Sequence, residues 1–161
     1  MDQMNQYWIW LSQLEGISGK GLYHVLDAYD TPEEIYHAPE QALRRRVELE
    51  ESDYRALAQK DLAPARKILK DCRETGISYL TLVDLAYPEI LRQIPDPPLV
   101  LYYRGRVPDF DAELAVAIVG HRKPSEQGRL TARTFGYQIS KAGAIVISGA
   151  AAGIDAEAMR G

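Results

Sequence analysis

The amino-acid sequence predicts an α/β protein in which a small helical region is followed by the first part of a parallel-sheet domain. Apolar residues recur at helical spacing along residues 1–75. At Gly76 the pattern changes to short runs that are typical of strands. Two apolar runs, 115–120 and 144–149, then flank a helical stretch. This order is the one expected of a right-handed strand-helix-strand unit with parallel strands.

In the helical region, turn and capping residues separate the apolar stretches. Leu22, Val25, Leu26 and Tyr29 are spaced to share one helix face. Thr31-Pro32 is a typical helix start, because Thr can cap and Pro suits the first helical position. Further helices are expected near 40–47, 51–60 and 63–75, the last of which ends at Gly76.

The rest of the chain reads as strands and two helices. ISYLTL and PLVLYYRG are strand-like and enclose a short helix in YPEILRQI. AVAIVG and AIVISG are predicted to be strands buried on both faces, since parallel strands are usually covered on both sides. The helix between them, about 125–142, is expected to place Leu130, Phe135 and Ile139 inwards.

Composition restricts the class of protein. No stretch reaches the length of a membrane span, and the N-terminus lacks the features of a signal peptide. Cys72 is the single cysteine, which excludes an internal disulfide and suits a reducing cytoplasm, where we expect the protein to lie. The net charge is −4. Residues 113–161 nevertheless carry 6 Lys and Arg against 4 Asp and Glu, so a nucleic-acid surface is best sought there.

The turn GISGKG, residues 16–21, has two interpretations. It resembles a helix-hairpin-helix turn, whose backbone N–H groups bind a nucleic-acid phosphate. It is also explained as a tight turn between two helices, in which Gly16 and Gly19 supply unusual backbone angles. We favour the second interpretation, because the surroundings are acidic.

Two glycine turns follow the two apolar strands, one in VGHRKPSEQG and one in GAAAG. Ligands of parallel α/β sheets bind at the carboxyl ends of the strands, so these turns could form one broad anion site. Asp155 could cap the following helix or contact a ligand. The histidines lie far apart in the sequence and no nucleophile is paired with a base. We therefore expect no enzyme activity, no cofactor and no metal.

Four segments together resemble the DNA-processing protein A family (DprA, also called Smf). They are LEGISGKGLYHVLDAYDTPEEIYHA, YPEILRQIPDPPLVLYYRG, VAIVGHRKPSEQG and VISGAAAGIDAEAMRG. The resemblance implies a sterile-alpha-motif-like helical domain, residues 1–75, followed by an incomplete Rossmann-like domain, residues 76–161. It also implies binding of single-stranded DNA, which is passed to the RecA recombinase during natural transformation.

The family's site motifs can be placed on this sequence residue by residue. The G-S-R turn falls on 120–122 and the S-G-x-A-R-G-I-D motif on 148–155. This chain has His121, Ala152 and Met159 where the family has Ser, Arg and His. Without the Arg, a bidentate phosphate partner is lost. The predicted phosphate-binding residues are Gly120, His121, Arg122, Lys123, Ser148, Gly149, Gly153, Ile154 and Asp155.

Family members continue beyond the position of Gly161, so we expect this sequence to be a truncated form. An apolar sheet edge would then be exposed, and we expect a homo-oligomer in the longer parent. Two alternatives remain open at this stage. One is a Rossmann-type nucleotide-binding enzyme or carrier, and the other is a helical domain that acts as a protein-interaction module.

Overall fold

The computed structural model describes residues 2–161. The chain forms two compact units, one that ends at Val107 and one that spans Pro108–Gly161. The helices of the first unit that precede its strands lie close to their predicted positions. They are α1 (Asp2–Ser12), α2 (Gly19–Ala28), α3 (Pro32–His37), α4 (Glu40–Arg46), α5 (Glu51–Leu57) and α6 (Ala63–Thr75).

Local signals in the sequence set several of these helix ends. Thr31 Oγ1 accepts a hydrogen bond from the Glu34 N–H at 3.2 Å, with Pro32 as the first helical residue, as predicted. Gly76 ends α6 in the left-handed conformation, with φ 65°. These ends agree with the sequence because each cap involves residues only a few positions apart.

The first unit also contains an antiparallel strand pair. Strand β1 (Ser78–Thr81) pairs with β2 (Val100–Tyr103), and the short helix α7 (Glu89–Arg92) lies between them in sequence. Leu99 and Val100 belong to the same apolar core as Ile9 and Val25 of the helices. The Asn5 side chain donates to the Tyr79 hydroxyl at 3.0 Å. Residues 76–107 thus pack with the helices in one unit, and the domain boundary after residue 75 stays a prediction.

The second unit is the predicted strand-helix-strand unit followed by a short helix. Strand β3 (Ala115–Ala117) is parallel to β4 (Ile145–Ile147), with Val116 opposite Val146. Helix α8 (Glu126–Lys141) connects the strands and α9 (Ile154–Arg160) follows β4. The α/β architecture is therefore confirmed.

Two predictions about burial in this unit are wrong. The strands are not buried on both faces: Ala115 and Ala117 are exposed, and Ile147 is 42% exposed. Among the described residues each strand has a single neighbour, so the outer edges stay open. Leu130 and Phe135 do not face inwards either, since their side chains are 60% and 58% exposed.

The buried face of α8 is formed by small residues. Ala132 and Gly136 are buried, and a Cβ added at Gly136 would collide with the carbonyl oxygen of Ala158 in α9. The close approach of α9 explains the failed prediction, because the two helices meet where side chains are shortest. Ile139, the third residue expected to face inwards, is half-buried. Within residues 2–161, no helix is both long enough and apolar enough to cross a membrane.

Candidate functional site

The two glycine turns meet at the carboxyl end of the β3–β4 pair. We call residues 120–123 and 148–155 the glycine-turn site. The Gly120 N–H donates to Oδ1 of Asp155 at 3.0 Å, and the Ile154 N–H donates to the carbonyl oxygen of His121 at 3.2 Å. The structure therefore brings together the two segments that the sequence predicted to form one site.

Glycine is required where the turns touch. Gly153 has φ +96°, and a Cβ there would collide with the His121 carbonyl oxygen. A Cβ at Gly120 would lie 2.8 Å from side-chain carbons of Ile154. Any larger residue at either position would push the two turns apart.

Asp155 holds the turns together from inside. It is 5% exposed, and its Oδ1 accepts the Gly120 N–H from the neighbouring strand end. Its other oxygen lies 3.1 Å from the position of a Cβ on Gly149. The Gly120 N–H is thus already bonded within the protein, and Asp155 acts as a positioning residue for the site.

Two other polar side chains of the site are also bonded locally. The Ser148 hydroxyl donates to the Ile118 carbonyl oxygen at 2.8 Å, which fixes the end of β4 to the end of β3. Nδ1 of His121 accepts the Lys123 N–H at 2.9 Å. These contacts stabilise the loop between β3 and α8.

The exposed surface of the glycine-turn site carries positive charge. The side chains of Arg122 and Lys123 are exposed, and neither has a hydrogen-bond or ion-pair partner within the described part of the chain. Ala152, at the position of the family's Arg, is exposed on the second turn. Ala150 in the same turn adopts φ +53°, a conformation that costs a non-glycine residue about 1–2 kcal/mol. The site thus combines exposed cations with tightly constrained backbone.

The GISGKG turn holds an anion from its own chain. The Asp53 carboxylate accepts the Ser18 N–H at 2.7 Å and the Ser18 hydroxyl at 3.2 Å, and it is 1% exposed. A Cβ at Gly21 would collide with the same carboxylate. The Ser18 N–H is therefore already bonded within the protein, which supports the tight-turn interpretation.

The role expected of Gly19 needs correction. Gly16 is the turn residue with left-handed backbone, at φ +85°. Gly19 is the first residue of α2, after Ser18 as the cap, and is not left-handed. The sequence spacing did not distinguish the two glycines, because both flank the same short turn.

Lys60 is a titratable group that the sequence did not single out. Burial lowers the pKa of its amine to about 8. The amine donates to the Ile35 carbonyl oxygen at 2.9 Å and lies 5.0 Å from the Trp10 ring centroid and 5.4 Å from that of Tyr36. It borders a cavity of about 350 Å³ that is also lined by Leu43 and Leu57.

Among the side chains that the structure describes in residues 2–161, no three His, Cys, Asp or Glu residues lie close enough together to hold a metal ion. Nε2 of His37 lies 3.4 Å from the Tyr7 hydroxyl. Cys72 is a buried free thiol whose pKa is raised, mainly by burial.

Comparison with known proteins identifies the family. Residues 78–161, just over half of the chain, match the family model described as DNA recombination-mediator protein A. The chain belongs to this family. The glycine-turn site lies wholly inside the matched region.

Relatives of the DNA recombination-mediator protein A family match different lengths of the chain. Protein Smf of Synechocystis is 31% identical over 159 residues, which is 94% of this chain and 39% of that protein. DNA processing protein DprA of Bacillus subtilis is 33% identical over 89 residues, or 55% of this chain and 30% of that protein. The chain thus spans about two fifths of the first relative and less than a third of the second.

A solved structure shows the same fold. The X-ray structure of DNA processing protein A from Streptococcus pneumoniae matches with a TM-score of 0.55 at 23% identity. The match covers 95% of this chain and 52% of that one. At this identity the likeness concerns the fold alone, and its coverage extends over both units of the chain.

Proposed function

We propose that this protein binds single-stranded DNA without catalysis in recombination and natural transformation, through the glycine-turn site. The observation that carries the proposal is the meeting of two glycine turns beside two exposed, unpaired cations, Arg122 and Lys123. An anionic strand is the partner that suits such a surface. The family description, which names DNA recombination, supports the same class of ligand.

The nine predicted residues divide into two roles in this proposal. Arg122 and Lys123 supply the charge that meets DNA phosphates, and the exposed turn around Gly149 approaches the strand with its backbone. The others keep the turns in position: Gly120, His121, Ser148, Gly153, Ile154 and Asp155. Their contacts lie inside the protein, so their substitution would act through the shape of the turns.

The resemblance to the family supports further parts of the proposal. The bound strand would be passed to the RecA recombinase, in the cytoplasm. A homo-oligomer is supported by exposed apolar side chains at the strand pair, Val119 at 71% and Ile147 at 42% exposure.

The proposal is tested with fluorescently labelled oligo-dT of twenty nucleotides, by anisotropy over a range of salt concentrations. We expect the affinity to fall as salt rises, because each neutralised phosphate releases counterions. Thymidine monophosphate should compete far more weakly than the oligonucleotide. Equal affinity for the nucleotide and the twenty-mer would contradict the proposal and favour a nucleotide carrier.

Variants of the site sharpen the same experiment. Arg122→Ala should weaken binding by about 1.5–3 kcal/mol, the range for a hydrogen bond to a charged group. Ala152→Arg should strengthen binding and steepen the salt slope by about 0.7, the value for one added phosphate contact. Arg45→Ala removes an exposed cation from the helical region and is the matched control. It should change neither the affinity nor the salt slope. An unchanged slope in a folded Ala152→Arg variant would show that the turn does not face the DNA.

A further inference from the structure

An exposed side of α8 carries a regular row of cations with an aromatic ring among them. Arg129, Arg133, Tyr137 and Lys141 follow one another at four-residue spacing, and we call them the α8 ridge. Each step of four residues advances about 6 Å along the helix, so neighbouring members lie one above the other. The three cations are exposed and the tyrosine is 50% exposed.

Some cations of the helical region have acidic partners, whereas the cations of the α8 ridge have none among the described residues. In the first unit, Lys67 pairs with Asp71 at 2.6 Å and Lys70 with Glu74 at 3.6 Å. Within the described residues, Arg129 and Arg133 have no ion-pair partner. Glu126 is the single acid in the sequence of α8. The charge of the ridge is therefore uncompensated in a protein of net charge −4.

The ridge continues the charge of the glycine-turn site. Arg122 and Lys123 lie on the loop that leads into the N-terminal end of α8, and Arg129 follows on its first turns. From residue 122 to residue 141 there are five cations and one acid. A strand bound at the turns thus meets further positive charge along the helix.

We propose that the α8 ridge is a second contact track for the strand held at the glycine-turn site, an inference that rests on the proposed function. Arg129, Arg133 and Lys141 bind phosphates along the strand, and Tyr137 stacks on an unpaired base. Cations interleaved with an aromatic ring are the combination that binds single strands without sequence preference. Lys141 Nζ lies 5.6 Å from the Tyr137 ring centroid, so the charge and the stacking surface are adjacent.

The test measures anisotropy salt slopes of the 161-residue chain with oligo-dT of twenty and of four nucleotides. The ridge variant Arg129→Gln/Arg133→Gln/Lys141→Gln should lower the slope for the twenty-mer by about 2, because three phosphate contacts are lost. Its slope for the four-mer, which is too short to span the turns and the whole ridge, should change less. The matched control Arg45→Gln/Lys67→Gln/Lys70→Gln removes the same charge from exposed positions and should leave both slopes unchanged.

A second variant tests the ring without changing charge. Tyr137→Leu should weaken twenty-mer binding at least about five-fold, and Tyr137→Phe should restore it, since stacking needs the ring and not the hydroxyl. Equal affinities of the Leu and Phe variants would overturn the stacking role.

The outcomes separate this inference from the proposed function. If the wild-type chain does not bind the twenty-mer, both proposals fall. If it binds, and the ridge variant keeps the wild-type slope, the ridge inference is wrong while the proposed function stands. An equal loss in the ridge and control variants would mean a general effect of net charge and would also overturn the inference. Far-UV circular dichroism confirms that each variant is folded.

Discussion

At the scale of single residues, two buried aspartates each accept a backbone N–H group from a segment that is distant in sequence. Asp53 receives the N–H of Ser18, and Asp155 receives the N–H of Gly120. In both pairs the partners are 35 residues apart in sequence. Burial of a carboxylate is costly unless it is hydrogen-bonded, so these bonds are a condition of the fold. Substitution of either aspartate would therefore act first on the shape of the turn that it bonds.

Lys60 gives a residue-scale prediction about pH. Burial lowers its pKa to about 8 in the folded protein, against roughly 10.4 in an unfolded chain. Between these pH values the unfolded state binds more protons, so the free energy of unfolding should rise with pH. Relative to that of Lys60→Met, the free energy of unfolding of the wild type should rise by about 1 kcal/mol from pH 7 to pH 10. This value is smaller than the full pKa shift would give, because the amine is partly exposed to solvent.

Urea unfolding of both proteins across this pH range measures the difference. The control is Lys67→Met, because Lys67 is exposed and its pKa is raised by Asp71. The wild type should show no gain over that variant as pH rises. If the difference in free energy of unfolding between wild type and Lys60→Met did not change with pH, the lowered pKa of Lys60 would be contradicted.

At the scale of elements, the packing of α8 decides which of its faces is buried. The apolar spacing of Leu130 and Phe135 suggested one face, and the structure buries Ala132 and Gly136 instead. Small residues allow the backbones of α8 and α9 to approach closely, and Ala158 occupies the space that a side chain at Gly136 would need. The large side chains consequently stay on the outer surface.

This packing predicts different costs for two substitutions in the same helix. Gly136→Ala should lower the free energy of unfolding by about 1–3 kcal/mol, because the added methyl group overpacks the contact with α9. This should occur even though Ala favours a helix over Gly. Leu130→Ala, at an exposed position, should change the free energy of unfolding by no more than about 0.5 kcal/mol. Chemical unfolding curves of the two variants measure these free energies. A larger loss of stability for Leu130→Ala than for Gly136→Ala would indicate that the face with Leu130 is the buried one.

At the scale of the whole molecule, apolar burial is unevenly distributed between the two units. The core of the first unit includes Ile9, Leu11, Val25, Ile35 and Leu57, all nearly inaccessible to solvent. Among the described residues of Pro108–Gly161, the buried apolar side chains are those of Ala132 and Ala158. Since buried apolar area is the main source of stability, the second unit should open more readily.

Native-state hydrogen exchange measures this difference. The amides of Ile118 and Ile145, which are bonded to the neighbouring strand segment, should exchange at least about ten-fold faster than those of Leu69 and Cys72 in α6. Exchange of all four at one common rate would mean that the two units unfold as a single cooperative body. The glycine-turn site would in that case be as resistant to opening as the helical core.

The sequence by itself determined the features that depend on neighbours along the chain. The cap at Thr31, the end of α6 at Gly76, the strands and the two glycine turns all follow from residues within a few positions of each other. The family motifs fall on the same two glycine turns. Hydrophobic period and turn chemistry are local properties, so they can be read before the chain is folded.

Only the tertiary structure decided which groups meet across the fold. It placed the Asp53 carboxylate in the GISGKG turn, bonded Asp155 to Gly120, and turned the small-residue face of α8 towards α9. Each of these contacts joins segments that are distant in sequence. A helix face is buried by the element that packs on it, and a backbone N–H bonds the acceptor that reaches it. Local spacing in the sequence specifies neither the element that packs on a helix nor the acceptor that reaches an N–H group. The exposure of the α8 cations likewise follows from how the elements pack and not from their spacing alone.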